Sequence, residues 1–283
     1  MNRIISTHRG DFNIKEYGEI SNPPLILLHG WPQTSYSWHH LAAHLSDFYI
    51  IAPDLRGMGD SNRELNLDYY TKDEMAKDIY AIADALSLDQ FYLAGHDWGG
   101  AIAQEMAFLL PDRILKMIIL NMVILNNPIG KKKVFDLLSG TLFRSSWYQH
   151  FLSIREFPEV MIQGKEEAWV RFFSRGISNP IPEDAIQEYI RCYKLPKTIT
   201  TAANLYRTIS KDRKRWKEFE GTSIDITTQI IYGIEDPVII KEYLEGVDNY
   251  FREVQVSQLT GGHFIVDEQP ELVGKSMDEF LKS

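Results

Sequence analysis

Residues 92–100 read Tyr92-Leu93-Ala94-Gly95-His96-Asp97-Trp98-Gly99-Gly100, and the way this stretch turns decides the fold. A short apolar run from Phe91 to Ala94 leads into it, and a helix-forming stretch from Ala101 to Leu110 follows. The spacing predicts a strand, a sharp turn and a helix, with glycines two positions either side of a strained residue that stands clear at the apex. That residue is Asp97. A serine in this position makes acyl esters. A carboxylate is suited to attack at an sp³ carbon, which turns the protein itself into an alkyl ester.

Strands and helices alternate outward from this turn. Leu25 to Leu28, after Pro23-Pro24, reads as a buried strand, Tyr36 to Leu45 as a helix, and Phe48 to Ala52 as a strand closed by Pro53. Gly57-Met58-Gly59-Asp60-Ser61 is a tight turn. Thr71-Lys72-Asp73-Glu74 fits a capping box, with Met75, Ile79, Ile82 and Leu86 on one helical face behind it. Leu115 to Leu120 is the strand after the elbow helix. The rhythm breaks between Leu125 and Phe219, a stretch rich in aromatics and helix formers, punctuated by Pro158, Pro180, Pro182 and Pro196 and lacking any strand pattern. It resumes at Thr228 to Tyr232 and Glu253 to Leu259, and a final helix runs from Glu271 to Leu281. The expected class is α/β: a mostly parallel, doubly wound sheet with a helical cap inserted. The expected division is a core of residues 1–124, a cap of 125–219 and a second part of the core, 220–283. The strands on either side of the cap need one another, so the cap sits over a single core. Lys131-Lys132-Lys133 and the basic run from Lys211 to Lys217 read as solvated helix ends.

Composition limits the partners. A chain of 283 residues, 44% of them hydrophobic, buries enough surface to fold without disulfides or a structural metal. A net charge of −9 offers nucleic acid or an anionic membrane no favourable field. The one cysteine, Cys192, has no internal disulfide partner and reads as a small buried hydrophobe. No apolar run approaches the roughly 18 residues of a membrane span. The N-terminal stretch lacks the apolar centre of a secretion signal, so a cytoplasmic setting is expected.

An alkyl ester on Asp97 has to be broken down, which calls for a base that activates water. His263 lies in Leu259-Thr260-Gly261-Gly262-His263-Phe264, a glycine loop after the last strand, from which an imidazole reaches back over the sheet's carboxyl edge. Asp236, in Gly233-Ile234-Glu235-Asp236-Pro237, follows the preceding strand and is placed to orient that base, with Glu235 as its neighbouring competitor. Nucleophile, acid and histidine then come in the chain order Asp97, Asp236, His263. A charged tetrahedral intermediate needs two donors, and the backbone N–H groups of Trp31, in His29-Gly30-Trp31-Pro32, and of Trp98 are the candidates. A cis peptide before Pro32 would aim Trp31 inward and bring Pro32 to the pocket. His29 and His96 read as structural groups beside the elbow. His40 and His44 are four apart on a helix, but no third ligand supports a metal site. No metal, nucleotide or flavin is expected.

These motifs resemble the aspartate-nucleophile branch of the α/β-hydrolase fold, which contains epoxide hydrolases, haloalkane dehalogenases and fluoroacetate dehalogenases. The resemblance rests on His29-Gly30-Trp31-Pro32-Gln33-Thr34, Asp54-Leu55-Arg56-Gly57-Met58-Gly59-Asp60-Ser61, Gly95-His96-Asp97-Trp98-Gly99-Gly100 and Gly262-His263-Phe264, and spans nearly the whole chain. Haloalkane dehalogenases pair a tryptophan after the nucleophile with an asparagine after the first His-Gly; here that second position is Trp31. Fluoroacetate dehalogenases place arginines one and four residues after the nucleophile, where this chain has Trp98 and Ala101. The first turn, His-Gly-aromatic-Pro, is similar to that of epoxide hydrolases. The resemblance further implies two cap donors for the epoxide oxygen. Leu205-Tyr206-Arg207 resembles the segment bearing one of them, which makes Tyr206 a donor. In Ser146-Trp147-Tyr148-Gln149-His150-Phe151, Phe151 falls at the usual second tyrosine, so the expected second donor is His150, with Tyr148 next and otherwise a pocket residue.

The expected activity is hydrolysis of an epoxide to a vicinal diol through an Asp97 ester. A dehalogenase using the same nucleophile is the alternative, and a non-catalytic ligand-binding relative is the second. The expected partner is a small, apolar substrate. The sequence leaves monomer and homodimer equally open.

Overall fold

The computed structural model describes residues 2–138, 146–176 and 179–283. Eight strands form one sheet: β1 (Asn2–Thr7), β2 (Gly10–Tyr17), β3 (Pro24–Leu28), β4 (Tyr49–Pro53), β5 (Phe91–His96), β6 (Ile114–Leu120), β7 (Thr228–Gly233) and β8 (Val254–Leu259). Their order across the sheet is β1-β2-β4-β3-β5-β6-β7-β8. The pairs β1/β2 and β2/β4 are antiparallel, and every pair from β4 to β8 is parallel.

The central parallel strands β3 and β4 read as unbroken apolar runs because both faces are covered, whereas the edge strand β8 alternates apolar and polar residues. Ile26, Leu28, Leu93, Met117, Ile119 and Ile230 face one core, and Leu25, Leu27, Ala94, Ile118, Leu120 and Ile231 face the other. The first core is closed by α1 (Lys72–Ala85) and α2 (Trp98–Leu109). The second is closed by the C-terminal helix, through Val273, Met277, Phe280 and Leu281.

Between β6 and β7 the described residues contain helices alone: α3 (Pro128–Leu138), α4 (Trp147–Ser153), α5 (Phe157–Ile162), α6 (Glu166–Phe173), α7 (Glu183–Tyr193), α8 (Thr198–Arg207) and α9 (Ile209–Trp216). This is the inserted cap. After β8 come a single turn, α10 (Ile265–Glu268), and α11 (Pro270–Lys282). Among the described residues no helix is long and apolar enough to cross a membrane.

Four local expectations are corrected. The β1–β2 hairpin is unannounced in the reading above, because only Ile5 of β1 is buried and the edge strand carries little apolar alternation. Residues 36–45 form two short 3₁₀ turns, Ser35–Trp38 and Leu41–His44, with Trp38 and Leu41 both buried in the same core. Thr71 is the N-cap of α1, yet its side chain makes no capping bond. The Lys72 N–H is instead held by Asp212 Oδ1 of α9 at 2.9 Å, so a cap residue closes a core helix. Finally, the basic run after Lys211 is only partly solvated. Arg215 Nε and Trp216 Nε1 both donate to the fully buried Glu105 of α2, each at 2.9 Å.

Candidate active site

The strand order reverses between β3 and β5, the chain building outward to β4 on one side and to β6–β8 on the other. A crevice at the carboxyl ends of such strands is where an open α/β sheet binds ligands. Trp31 follows β3, Asp97 follows β5, Asn121 follows β6, Asp236 follows β7 and His263 follows β8. The sheet therefore delivers five residues, distant in sequence, to one edge.

Asp97 sits at φ 49°, ψ −124°, a conformation costly for a side-chain-bearing residue. The flanking glycines explain how the turn stays sharp. A Cβ on Gly95 would lie 2.2 Å from the Gly99 carbonyl oxygen, and one on Gly99 would lie 2.2 Å from that of Leu28. Asp97 Oδ1 accepts the Trp31 backbone N–H at 2.8 Å, and its Oδ2 lies 3.5 Å from His263 Nε2. One carboxylate oxygen is thus held in an amide pocket while the other faces the histidine. The Trp31–Pro32 peptide is cis. Pro32 is buried and is not among the residues lining the cavity described below.

His263 Nδ1 meets Asp236 Oδ2 at 2.7 Å. Asp236 is itself fixed, its Oδ1 accepting the N–H groups of Val238 and Ile239 at 2.7 and 2.9 Å. Glu235, its competitor, is exposed. Asn121, absent from the sequence reading, donates to Asp236 Oδ2 at 2.7 Å and to the Gly262 carbonyl at 3.2 Å, and accepts the Gly233 N–H. It joins the acid's loop to the base's loop. The only signal in the sequence is a polar residue directly after the apolar run of β6.

The charges are mutually dependent. Burial acts to lower the His263 pKa, but Asp236 and Asp97 together push it up to about 10. Burial acts to raise Asp97, and the hydrogen bond and charge of His263, with help from His96 and the Trp31 N–H, hold it below the ordinary carboxylate range. Asp236 is held low in the same way, chiefly by His263 against its own burial. The resting site is an imidazolium between two carboxylates.

His29 and His96 are both fully buried, as structural groups beside the elbow. His29 Nε2 accepts the Leu55 N–H at 2.9 Å and its Nδ1 donates to the Gly30 carbonyl, so the neutral ring braces two loops, and burial lowers its pKa.

Over this floor the cap supplies aromatic rings. Tyr148 of α4 stacks on Trp31 with ring centroids 5.4 Å apart and planes 6° apart. Tyr206 of α8 packs edge-on against Trp31 and Trp98, both at 5.4 Å, and against Tyr148 at 5.8 Å. The Trp31 and Trp169 indoles both donate to the Tyr193 hydroxyl, at 3.2 and 3.3 Å. Burial raises the Tyr148 pKa, and the charge of Asp97 adds to it. Tyr206 is raised mainly by burial, with the same carboxylate contributing. Both hydroxyls therefore stay protonated, within the field of the candidate nucleophile.

His150 does not join them. Tyr148 and Leu152 form the buried face of α4, and two residues beyond Tyr148 the helix has turned about 200°, which leaves His150 exposed. Phe151 packs against Trp147, Phe157 and Trp169. The cavity between floor and cap has a volume of about 430 Å³; Trp31, Trp147, Tyr148, Phe172, Phe173 and His263 line it together with the charged Arg175 and Glu268, and Asp97 and Tyr206 are not among its lining residues. Among the described residues, one group has metal-ligand spacing, Asp60, Glu188 and Cys192. There the Arg191 guanidinium already pairs with both carboxylates, and the buried thiol is pushed up in pKa by burial.

A family profile described as the alpha/beta hydrolase fold matches residues 23–270. Epoxide hydrolase 4 of Mus musculus is 31% identical over 283 residues, covering 96% of this chain and 76% of its own. Epoxide hydrolase A of Mycobacterium tuberculosis is 25% identical over 319 residues, covering 99% and 96%. Among solved structures, an alpha/beta hydrolase of Nostoc sp PCC 7120 superposes with a TM-score of 0.87 at 28% identity, over 99% of this chain and 97% of that one.

Proposed function

Because the chain belongs to the α/β hydrolase fold family, in the branch whose nucleophile is an aspartate, we propose that it hydrolyses epoxides to vicinal diols. One observation carries the reading: a carboxylate on a strained turn has one oxygen bound by an amide and the other facing a His–Asp pair, beneath two buried tyrosines. Relatives of similar length carry the same activity in their names.

Asp97 Oδ2, the oxygen left free by the Trp31 amide, attacks an epoxide carbon. The C–O bond of the ring breaks, and the departing oxygen takes a proton from Tyr206 while the Tyr148 hydroxyl donates a hydrogen bond to it. Proton donation of this kind is worth about 10²–10⁴ in rate. The product is an ester on Asp97, a hydroxyl on the neighbouring carbon and a tyrosinate. The ester is neutral, so His263 loses one of the two carboxylates that keep it protonated. Its proton passes through solvent to the tyrosinate, and His263 becomes a base only once there is an ester to hydrolyse.

His263 Nε2 then takes a proton from water as the water oxygen attacks the Asp97 carbonyl carbon. The charge that develops on Oδ1 is met by the Trp31 N–H and by the Trp98 N–H at the start of α2. Each such donor is worth about 10²–10³ in rate. Collapse breaks the ester's acyl C–O bond, between that carbon and Oδ2, the leaving alkoxide takes the remaining proton of the attacking water, and the diol departs. Water supplies one oxygen to Asp97, and His263 ends protonated as it began. Epoxide plus water gives diol with no proton left over.

The apolar lining favours a substrate with a hydrophobic or aromatic body, of a size set by about 430 Å³. A haloalkane dehalogenase is the second reading, favoured by the Trp98 Nε1–H, which is buried beside Tyr206 and has, among the described residues, no well-formed hydrogen bond and only a loose approach to the Tyr206 hydroxyl. Against it, the Trp31 indole that would be its partner is committed to Tyr193.

The test is His263→Ala, incubated with a panel of epoxides and, separately, with haloalkanes and fluoroacetate, and followed by intact mass. Addition of a whole epoxide mass, lost on further Asp97→Ala substitution, is expected. An alkyl adduct lacking its halogen makes the protein a dehalogenase. No adduct from either panel argues for a ligand-binding protein.

A further inference from the structure

A row of buried polar groups runs beneath His263 and away from the cavity, and the reaction just described does not use it. His96 Nε2 lies 2.6 Å from the His263 backbone carbonyl. His96 Nδ1 lies 3.0 Å from Gln33 Oε1, and Gln33 Nε2 lies 2.7 Å from Asp267 Oδ2. Tyr189 of α7 donates to the same Oδ2 at 2.8 Å. His96, Gln33 and Tyr189 are fully buried, and Asp267 is 2% exposed.

Counting donors along the row fixes its protons. The carbonyl only accepts, so His96 Nε2 carries a proton. If the imidazole is neutral, its Nδ1 accepts, and the NH₂ of Gln33 has to face it. The Gln33 carbonyl then faces Asp267, and two acceptors 2.7 Å apart require a proton on the acid. With the amide as placed, Oε1 towards His96, Nδ1 has to donate, which makes His96 a cation and Asp267 an anion. The two ends of an amide are interchangeable in shape. In both arrangements His96 and Asp267 together hold one proton more than a neutral imidazole and a free carboxylate. Remove it and one link faces acceptor to acceptor, whichever way the amide points.

We propose that Asp267, through Gln33 and His96, holds this extra proton and thereby positions His263, the base of the proposed reaction, from below. The proton resides on the acid. Among the described residues Asp267 Oδ1 is buried with no hydrogen-bond partner, which a neutral carboxyl tolerates far better than a carboxylate. Burial in turn pushes Asp267 up to about 7 and His96 down to about 4, both against the charged arrangement. The titratable groups facing Asp267 are Tyr189 and the more distant Asp184 of α7, and Glu268 of its own turn. Those facing His96 are His263, Asp97 and Asp236.

Deprotonation of Asp267 breaks the row, and with it the anchor on the His263 carbonyl. The consequence for activity rests on His263 being the base, whereas the proton itself does not. The experiment therefore has two arms, comparing wild type with Asp267→Asn, whose amide donates to Gln33 at any pH. In the first, breakdown of the Asp97 ester is timed against pH. The wild-type rate falls as pH rises past neutrality, and the variant's profile is flat over the same range. In the second, Tm is followed from pH 5 to 8 without substrate. A carboxyl whose folded pKa is raised contributes stability that is full below its unfolded value and is lost as pH rises through about 7. The variant has nothing to lose, so its Tm rises relative to wild type across that range.

A Tm difference that does not change with pH overturns the proposal. So does a folded Asp267→Asn with the wild-type alkaline fall. Failure to find any epoxide turnover leaves the second arm intact and counts against the functional reading alone. Should Asp267→Asn not fold, histidine ¹⁵N spectra of the wild-type protein at pH 6 decide. His96 as the neutral Nε2–H tautomer supports the assignment, and His96 as an imidazolium overturns it.

Discussion

Below the cavity Asp97, Asp236 and His263 are held by directed bonds, whereas above it the rings of Tyr148 and Tyr206 are placed mainly by packing. Asp236 accepts from two backbone amides, Asn121 and His263, and the loop of His263 is anchored again through Asn121 and through Glu268 Oε2 on the Gly262 N–H. Tyr148 and Tyr206, by contrast, are placed by ring contacts with Trp31, Trp98, Phe173 and each other. Hydrogen bonds fix an atom to a few tenths of an ångström, as a nucleophile and its base require. Ring packing fixes a surface and tolerates several arrangements of similar energy. On the proposed reading the floor makes and breaks one ester, and the roof accepts a shape.

The largest expected effect tests whether the roof contributes chemistry as well as shape. Tyr206→Phe and Tyr148→Phe keep both rings and remove one hydroxyl each, so packing survives and proton donation does not. Each single change is expected to lower the rate of Asp97 alkylation by about 10²–10⁴. The double variant is expected to lose less than the product of the two, because either hydroxyl alone can serve the same oxygen only in part. Pre-steady-state alkylation rates in the His263→Ala background measure this directly. If the singles alkylate at the parent rate, the roof is only a surface and the acid lies elsewhere.

The same contrast decides what could be read without a structure. Asp97, Asp236 and His263 were legible because each occupies a turn directly after a strand, where glycines and chain order constrain the backbone. Trp31 and the sheet rhythm were legible for the same reason. The roof was not. Tyr148 and His150 are two residues apart, and which of them faces the cavity depends on the phase of a seven-residue helix, whose start cannot be placed from one sequence to better than a residue or two. Aromatics in a cap look alike whether they fill its interior or line a cavity. Asn121 and Asp267 were missed for another reason: their role lies in bonds to loops more than a hundred residues away, and nothing local marks them. The β1–β2 hairpin leaves a faint local signal, Phe12 and Ile14 alternating after Gly10.

The next effect concerns how the two regions are joined. Lys72, at the start of α1, is fully buried, and its ammonium donates to the Leu205 carbonyl at 2.7 Å, to Thr208 at 3.0 Å and to Asp212 at 2.8 Å. It also lies 4.3 Å above the Trp98 ring. One core side chain thus holds the residue before Tyr206 and the ring after Asp97. Burial lowers its pKa, and Asp212 opposes that shift. Lys72→Met leaves a carboxylate buried without its partner and is expected to cost about 3–5 kcal/mol of stability. Lys72→Met combined with Asp212→Leu removes both charges and is expected to recover most of it. Urea unfolding measures the stability, and the alkylation rate of the double variant reads the tether. A stable double variant with slowed alkylation shows that Lys72 sets the position of Tyr206 as well as holding the cap on.

The smallest expected effect is at His150, on the far face of the helix that carries Tyr148. If the phase of α4 is what separates a donor from a surface residue, His150→Ala changes kcat/KM by no more than about twofold, in keeping with the roughly 0.5 kcal/mol of an ordinary surface substitution. Tyr148→Phe, two residues earlier, differs from it by orders of magnitude. A loss at His150 comparable to that at Tyr148 would mean that α4 rotates when substrate enters, bringing the imidazole over the floor. The roof would then be a moving part, and its ring packing the means by which it turns.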